Sequence, residues 1–169
     1  VNNEVGSIQP LADVVRISRA KGAIVHVDAA QAVGKLALDL SDFDLASLSA
    51  HKMYGPMGVG ALFVSAASQL KPLPLLFGGS QEAGIRPGTL PTPLIVGFGI
   101  AAKVSRARLG ADAVHSRNLS AVFLKNIRSR QVQFIESIPE SNRVPGSLSI
   151  RFPGNNAMSV ISKTGDRIL

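Results

Sequence analysis

Apolar residues recur at Leu11, Val14, Val15 and Ile17, the spacing of one helical face, directly after Pro10. Basic residues close the segment at Arg19 and Lys21, and Gly22 follows, so the pattern predicts a helix over about residues 11–21 with a glycine just past its end. The period then changes. Ala23-Ile24-Val25-His26-Val27 is a short, nearly continuous apolar run rich in β-branched residues, which predicts a strand buried on both faces. Leu45 to Leu48 and Gly60 to Val64 repeat that character, so short strands alternate with helical or loop segments and this half of the chain reads as α/β.

Gly78-Gly79, Gly84 and Arg86-Pro87-Gly88-Thr89 punctuate the next stretch too densely for regular structure and mark an irregular loop. Thr92 and Pro93 then open a long helix, Leu94 to Leu109, which Gly110 is expected to stop. A second helix is predicted over about residues 112–129, with Leu119, Val122, Phe123 and Ile127 on one face. Gln133-Phe134-Ile135 reads as a short strand, and Leu148, Ile150 and Phe152 alternate with polar residues like a half-buried one.

Charge changes the picture along the chain. Residues 1–95 carry 7 basic and 7 acidic side chains, whereas residues 96–169 carry 11 and 4, which accounts for the net +7. With the long helix, that break places an expected domain boundary near residue 105. The basic residues Arg106, Arg108, Arg117, Lys125, Arg128 and Arg130 are spaced along predicted helices with almost no aromatics to stack on bases. A solvated helical face is the first reading, an acidic protein partner the second and nucleic acid the third. At 169 residues and 46% hydrophobic the chain is long and apolar enough to fold around a core. Its longest apolar run, Leu94 to Ala102, is much shorter than the roughly 20 residues that span a bilayer, so no membrane role is expected. The absence of Cys fits a reducing compartment or a fold that needs no staple.

The candidate chemistry lies at two strand ends. His26-Val27-Asp28-Ala29-Ala30-Gln31 puts an Asp at the end of the first predicted strand, and Ser47-Leu48-Ser49-Ala50-His51-Lys52 puts a Lys just after the second. Ligands collect outside the carboxyl ends of strands in open α/β sheets. An amine for an aldehyde, a carboxylate for a ring nitrogen and nearby polar donors are what pyridoxal 5′-phosphate requires. Each residue also has a plain alternative: Lys52 as a surface lysine, Asp28 as a cap for the segment after it, Asn2-Asn3 as a turn. His26 is assigned to the core or to support of the site, and His115 to solvent.

The motifs Asn2-Asn3-Glu4-Val5-Gly6 with Gln9-Pro10, His26 to Gln31, Ser49 to Lys52, Tyr54-Gly55-Pro56, Gly58 to Leu62 and Arg86 to Thr89 occur in order and near-correct spacing. Together they resemble the cysteine desulfurases of the class V aminotransferase group, closely over residues 1–105 and loosely beyond, where Gly146 to Phe152 is similar to the first strand of that family's small domain. The resemblance implies a type I fold of pyridoxal-phosphate-dependent transferases, with residues 1–105 part of the large α/β cofactor domain and 106–169 the start of a small α+β C-terminal domain. It implies that Lys52 is the lysine that binds the cofactor aldehyde and moves protons on the substrate. It further implies that Asp28 faces the ring nitrogen, Gln31 the ring hydroxyl, Ser49 and His51 the phosphate, and Asn3 the cofactor and the substrate carboxylate. Thr89 resembles the threonine that reaches the phosphate in the other subunit of a homodimer.

The implied reaction takes sulfur from L-cysteine, releases L-alanine and leaves a persulfide, whose sulfur goes to an acceptor or iron-sulfur scaffold protein or to tRNA thiolation, in the cytoplasm. In the family the persulfide forms on a Cys in a downstream loop, and this chain has no Cys and opens on Val1. The expectation is therefore an internal fragment of a longer enzyme, inactive by itself. Sibling activities such as selenocysteine lyase share Asp28, Gln31 and Lys52, and a catalytically inactive paralogue acting as an interaction protein is the alternative from another class.

Overall fold

The computed structural model describes residues 1–164. Two compact units make up the chain: Pro10–Leu109, and Val1–Gln9 together with the residues from Gly110 onward. No helix among the described residues is long and apolar enough to cross a membrane.

The unit Pro10–Leu109 is built on α1 (Leu11–Ala20) and the three strands β1 (His26–Asp28), β2 (Leu45–Ser49) and β3 (Gly60–Val64). The end of α1 is the predicted one. Gly22, at φ 67°, lets the chain reverse while its N–H and that of Ala23 satisfy the carbonyls of Arg19 and Ser18. In the sheet β2 is central, parallel to β1 and antiparallel to β3. Val15, Val25, Phe43 and Ala46 form a buried cluster against which Leu11, Val27, Leu40 and Phe63 pack, so α1 covers the face that carries Val27, Ala46 and Phe63.

Here the structure departs from the expected strand. Residues 26–28 form an edge strand with only one covered face: Val25 is 5% exposed but Ile24 is 60% exposed, and His26 and Asp28 are open. The alternation of the pleat decides this, since side chains at 25 and 27 turn into the core and those at 24, 26 and 28 turn away. The uncovered face therefore carries His26, Asp28, Ser47, Ser49 and Leu62.

Gly110 does not stop a helix. α2 runs unbroken from Thr92 to Ser129, replacing the two helices expected from the sequence. A single glycine costs a helix only about 1 kcal/mol relative to alanine, and Leu109 and Ala111 on either side are strong helix formers. Among the described residues nothing lies within 4 Å of where a Cβ at 110 would stand. The first part of α2 packs on the turns of its own unit through small residues: Ser105 meets Gly34, Ala101 meets Gly55, and Gly97 meets Pro56.

In the other unit the N-terminal residues are bound by backbone pairing. Ser7 bridges Arg143, Ile8 N–H donates to the Asn142 carbonyl at 2.8 Å, and Val144 N–H donates to the Gly6 carbonyl at 3.0 Å. Two short antiparallel strands, β4 (Ile135–Glu136) and β5 (Ile150–Arg151), follow. They fall within a residue or two of the predicted positions. Arg143, 6% exposed, donates to Glu136 Oε2 at 2.8 Å and to the Ile138 carbonyl at 2.7 Å. The helix α3 (Ala157–Thr164) closes the described chain.

Candidate active site

Asp28 is the last residue of β1, and its register partner on β2 is Ser47. Two residues further along β2 is Ser49, on the same face, and the chain then enters a tight 3-10 turn, Ala50–Met53, which carries His51 and Lys52. That turn joins β2 to β3, so the lysine and the carboxylate leave from the carboxyl ends of neighbouring parallel strands. Ala50 is fully buried and Met53 is 3% exposed, which pins the turn at both ends while Lys52 between them is half-buried and His51 is exposed.

The backbone around the lysine is held closely. Tyr54 follows the turn at φ 64°, a left-handed conformation uncommon for a residue with a side chain. Gly55 then donates its N–H to the Ala50 carbonyl at 3.0 Å, and a Cβ at position 55 would stand 2.8 Å from that oxygen. Only glycine allows so close an approach. From α2, the buried Ser105 donates its hydroxyl to the Met53 carbonyl at 3.4 Å.

Each polar group shows what it has free. One carboxylate oxygen of Asp28, Oδ1, accepts from the Ala30 N–H at 2.9 Å; Oδ2 takes no hydrogen bond among the described residues. The capping role that the sequence offered as an alternative is thus real, and it uses half of the carboxylate. Ser49 Oγ and His51 Nδ1 lie 3.0 Å apart, which leaves His51 Nε2 open. Lys52 makes no side-chain hydrogen bond or ion pair among the described residues. An unengaged amine, an open carboxylate oxygen and a hydroxyl–imidazole pair are the donor set that pyridoxal 5′-phosphate needs, so the residues present fit it.

Three features were not apparent in the sequence. His26, assigned there to the core or to support, stands exposed on the open face and pairs through Nε2 with Ser47 Oγ at 2.8 Å. Ser105 lies far away in sequence and had no motif to mark it. Lys35 donates to Gln31 Oε1 at 3.3 Å, and partial burial, followed by the charge on Lys52, holds its pKa below the ordinary lysine value. Its only sequence signal was the four-residue interval to Gln31 on a helical turn.

Asp28, Gln31, Ser49, His51 and Lys52 all belong to the unit Pro10–Leu109. Thr89 belongs to it too, exposed on the loop before α2 and hydrogen-bonded to none of Ser49, His51 and Lys52. Asn3 is exposed in the other unit, within a turn in which Asn2 Oδ1 accepts from the N–H groups of Glu4 and Val5 at 2.9 Å.

A family model, aminotransferase class-V, matches residues 1–165. The chain belongs to the class-V aminotransferase family. Members of this family depend on pyridoxal 5′-phosphate, in agreement with the donor set at Asp28 and Lys52. The chain is 44% identical over 163 residues to the cysteine desulfurase IscS of Rickettsia akari (strain Hartford), an alignment that covers 95% of this chain and 40% of the relative. It therefore spans about two-fifths of the length of the curated relatives it matches. Among solved structures, a NifS-like protein superposes with a TM-score of 0.88 at 36% identity, over 97% of this chain and 46% of that one. SspA, solved in complex with cysteine, does so with a TM-score of 0.74 at 36% identity, over 97% of this chain and 44% of that one. The mixed α/β architecture is that of the type I fold.

Proposed function

We propose that this chain is the cofactor-binding part of a cysteine desulfurase that converts L-cysteine and a thiol into L-alanine and a persulfide. The balance is internal: the C–S bond of cysteine breaks, a proton takes the place of sulfur on carbon, and the sulfur joins the thiol without an outside reductant. The observation that carries the reading is the register of Asp28 with Ser47. It sets the carboxylate and the Lys52 turn at the ends of adjacent parallel strands.

The cofactor, when bound, supplies an aldehyde for amines and a ring that accepts electron density from the substrate's α-carbon. Asp28 Oδ2 holds a proton on the ring nitrogen. Lys52 Nζ would hold the aldehyde and would take and return protons at the substrate carbons. Gln31 donates to the ring oxygen. Ser49 and His51 would donate to the phosphate, and the family motif gives Asn3 a role toward the cofactor and the substrate carboxylate. The accepting thiol lies outside these 169 residues, which contain no Cys. A thiolate is the attacking species in such a transfer, and a reducing cytoplasm preserves it.

In this reading residues 1–105 are part of the large cofactor domain and residues 106–169 the start of the small one. The working form is a homodimer in which Thr89 reaches the phosphate bound by the partner subunit. Support for the dimer comes from the segment before the Thr89 loop, where Leu73, Leu75 and Phe77 are 85%, 94% and 89% exposed, a run of open apolar side chains of the kind that interfaces cover. Sulfur leaves to an acceptor such as an iron-sulfur scaffold protein.

The test is spectroscopic. Purified with pyridoxal 5′-phosphate, the protein is expected to be yellow, and Lys52→Ala to remove the visible band. A colourless protein with no cofactor by mass spectrometry overturns the reading.

A further inference from the structure

A lysine that no part of the proposed reaction uses, Lys35, stands exposed beside Gln31, within hydrogen-bond reach of its side chain. The chain after Asp28 winds into successive turns, with Val33 N–H donating to the Ala29 carbonyl and Leu36 N–H to the Ala32 carbonyl, both at 2.9 Å. That winding brings residues 31 and 35 to one side. Gly34, at φ 74°, then passes so close to the lysine turn that a Cβ there would stand 2.9 Å from Met53 Cβ and 3.3 Å from Ser105 Cβ. Lys35 follows Gly34 and Lys52 precedes Met53, so this contact sets two lysines side by side.

An amine with only solvent to satisfy it would swing away from such a neighbour. Lys35 is instead turned to Gln31 Oε1 at 3.3 Å, and it keeps that place although burial and the Lys52 charge both work against its protonated form. The bond settles the amide's orientation. An ammonium has hydrogens only to give, so the atom of Gln31 that faces it must be the carbonyl oxygen, and the amide nitrogen Nε2 remains as a donor.

We propose that Lys35 is a positioning residue of the cofactor site: by holding Gln31 Oε1 it fixes the Gln31 amide with its N–H2 available to an anionic oxygen on the ligand's ring. Without Lys35 no hydrogen bond among the described residues fixes which end of the amide faces the ligand. A carbonyl oxygen facing an anionic oxygen repels it. Lys35 thereby favours the ionised ring oxygen over the protonated one while touching neither ring nor substrate. This inference rests on the assignment of the site to pyridoxal 5′-phosphate.

The experiment titrates pyridoxal 5′-phosphate into the protein and records the dissociation constant and the split of absorbance between the visible and near-ultraviolet bands. Lys35→Met is expected to weaken binding about tenfold, the scale of one charge-assisted hydrogen bond, and to move absorbance toward the near-ultraviolet. Lys35→Arg, which can still donate to the carbonyl, restores binding to within about twofold. Gln31→Leu weakens binding too, and adding Lys35→Met to it causes no further loss, because the two act through one bond. Unchanged binding and band ratio in Lys35→Met, or losses that multiply in the double variant, overturn the inference and leave the cofactor assignment standing. An unsubstituted protein that takes up no cofactor overturns both.

Discussion

Lys52 depresses the pKa of Lys35, and the two are brought together by contact between Gly34 and Met53, the residues next to them in the chain. The effect of burial on Lys35 is larger, and the charge of Lys52 adds to it. In the unfolded chain Lys35 titrates at its ordinary value. Between the lower folded value and the ordinary one the unfolded state binds more protons, so stability rises as pH increases through that window. Lys52→Met is expected to raise the Lys35 pKa, observable by NMR of its ε-methylene, and to flatten the alkaline rise in stability.

The contact itself can be tested through Gly34. An alanine there must adopt φ 74° and place its Cβ 2.9 Å from that of Met53. The left-handed backbone costs about 1–2 kcal/mol and forced overpacking about 1–3 kcal/mol. Gly34→Ala is therefore expected to destabilise the protein by about 2–4 kcal/mol in urea unfolding. Gly110→Ala, in a helix with open space around it, is expected to stabilise by about 1 kcal/mol.

Two arginines share Glu136, and burial separates their importance. Arg143 is 6% exposed and bonds both Glu136 and the Ile138 carbonyl; the Arg128 side chain, 3.1 Å from the other carboxylate oxygen, is 62% exposed. Losing a buried cation strands its partners, at a cost of about 2–3 kcal/mol for hydrogen bonds to a charged group. Arg143→Met is expected to lose that much by denaturant unfolding. Arg128→Ala is expected to lose less than about 1 kcal/mol, including its contact 5.5 Å above the Phe134 ring.

Asp39 accepts from the Ser41 hydroxyl at 2.7 Å and the Ser41 N–H at 2.9 Å, and these bonds, the hydroxyl first, hold its carboxyl below the usual aspartate value. Their stabilisation is complete above the ordinary aspartate range and is lost as pH falls through the folded value. The stability gap between the protein and Asp39→Ala is expected to be present at neutral pH and to close in acid, as followed by thermal melting across a pH series.

Removing apolar surface at Leu75 and Phe77 tests the proposed dimer. A Leu75→Asp, Phe77→Ser double variant is expected to sediment as a monomer where the unsubstituted protein sediments as a dimer. An unchanged sedimentation coefficient would separate this segment from the interface.

Much of the site was legible because its residues sit at element ends, where sequence signals are strongest. β3 occupies the predicted residues, α1 stops at its glycine, and Asp28 and Lys52 flank the strands as their apolar runs implied. What escaped depended on partners remote in sequence. Gly110 carries a stop signal, but the propensity of its neighbours outweighs it. The 23–27 run looks like a strand buried on both sides, yet which face is covered depends on where α1 packs. Ser105 reaches Met53 across 52 positions of chain, beyond any local pattern. Asn3 and Thr89 owe their expected roles to a family motif alone: both are exposed, Asn3 in a turn held by Asn2 Oδ1 and Thr89 on the loop before α2.

The pairing of Ser7 with Arg143 orders events in time. As the chain leaves the ribosome, everything needed for the sheet and the lysine turn has emerged once residue 109 is out. The first nine residues must wait for residue 143 before they find their backbone partners. Synthesis thus offers a window in which the sheet and the lysine turn have assembled while residues 1–9 still lack their backbone partners.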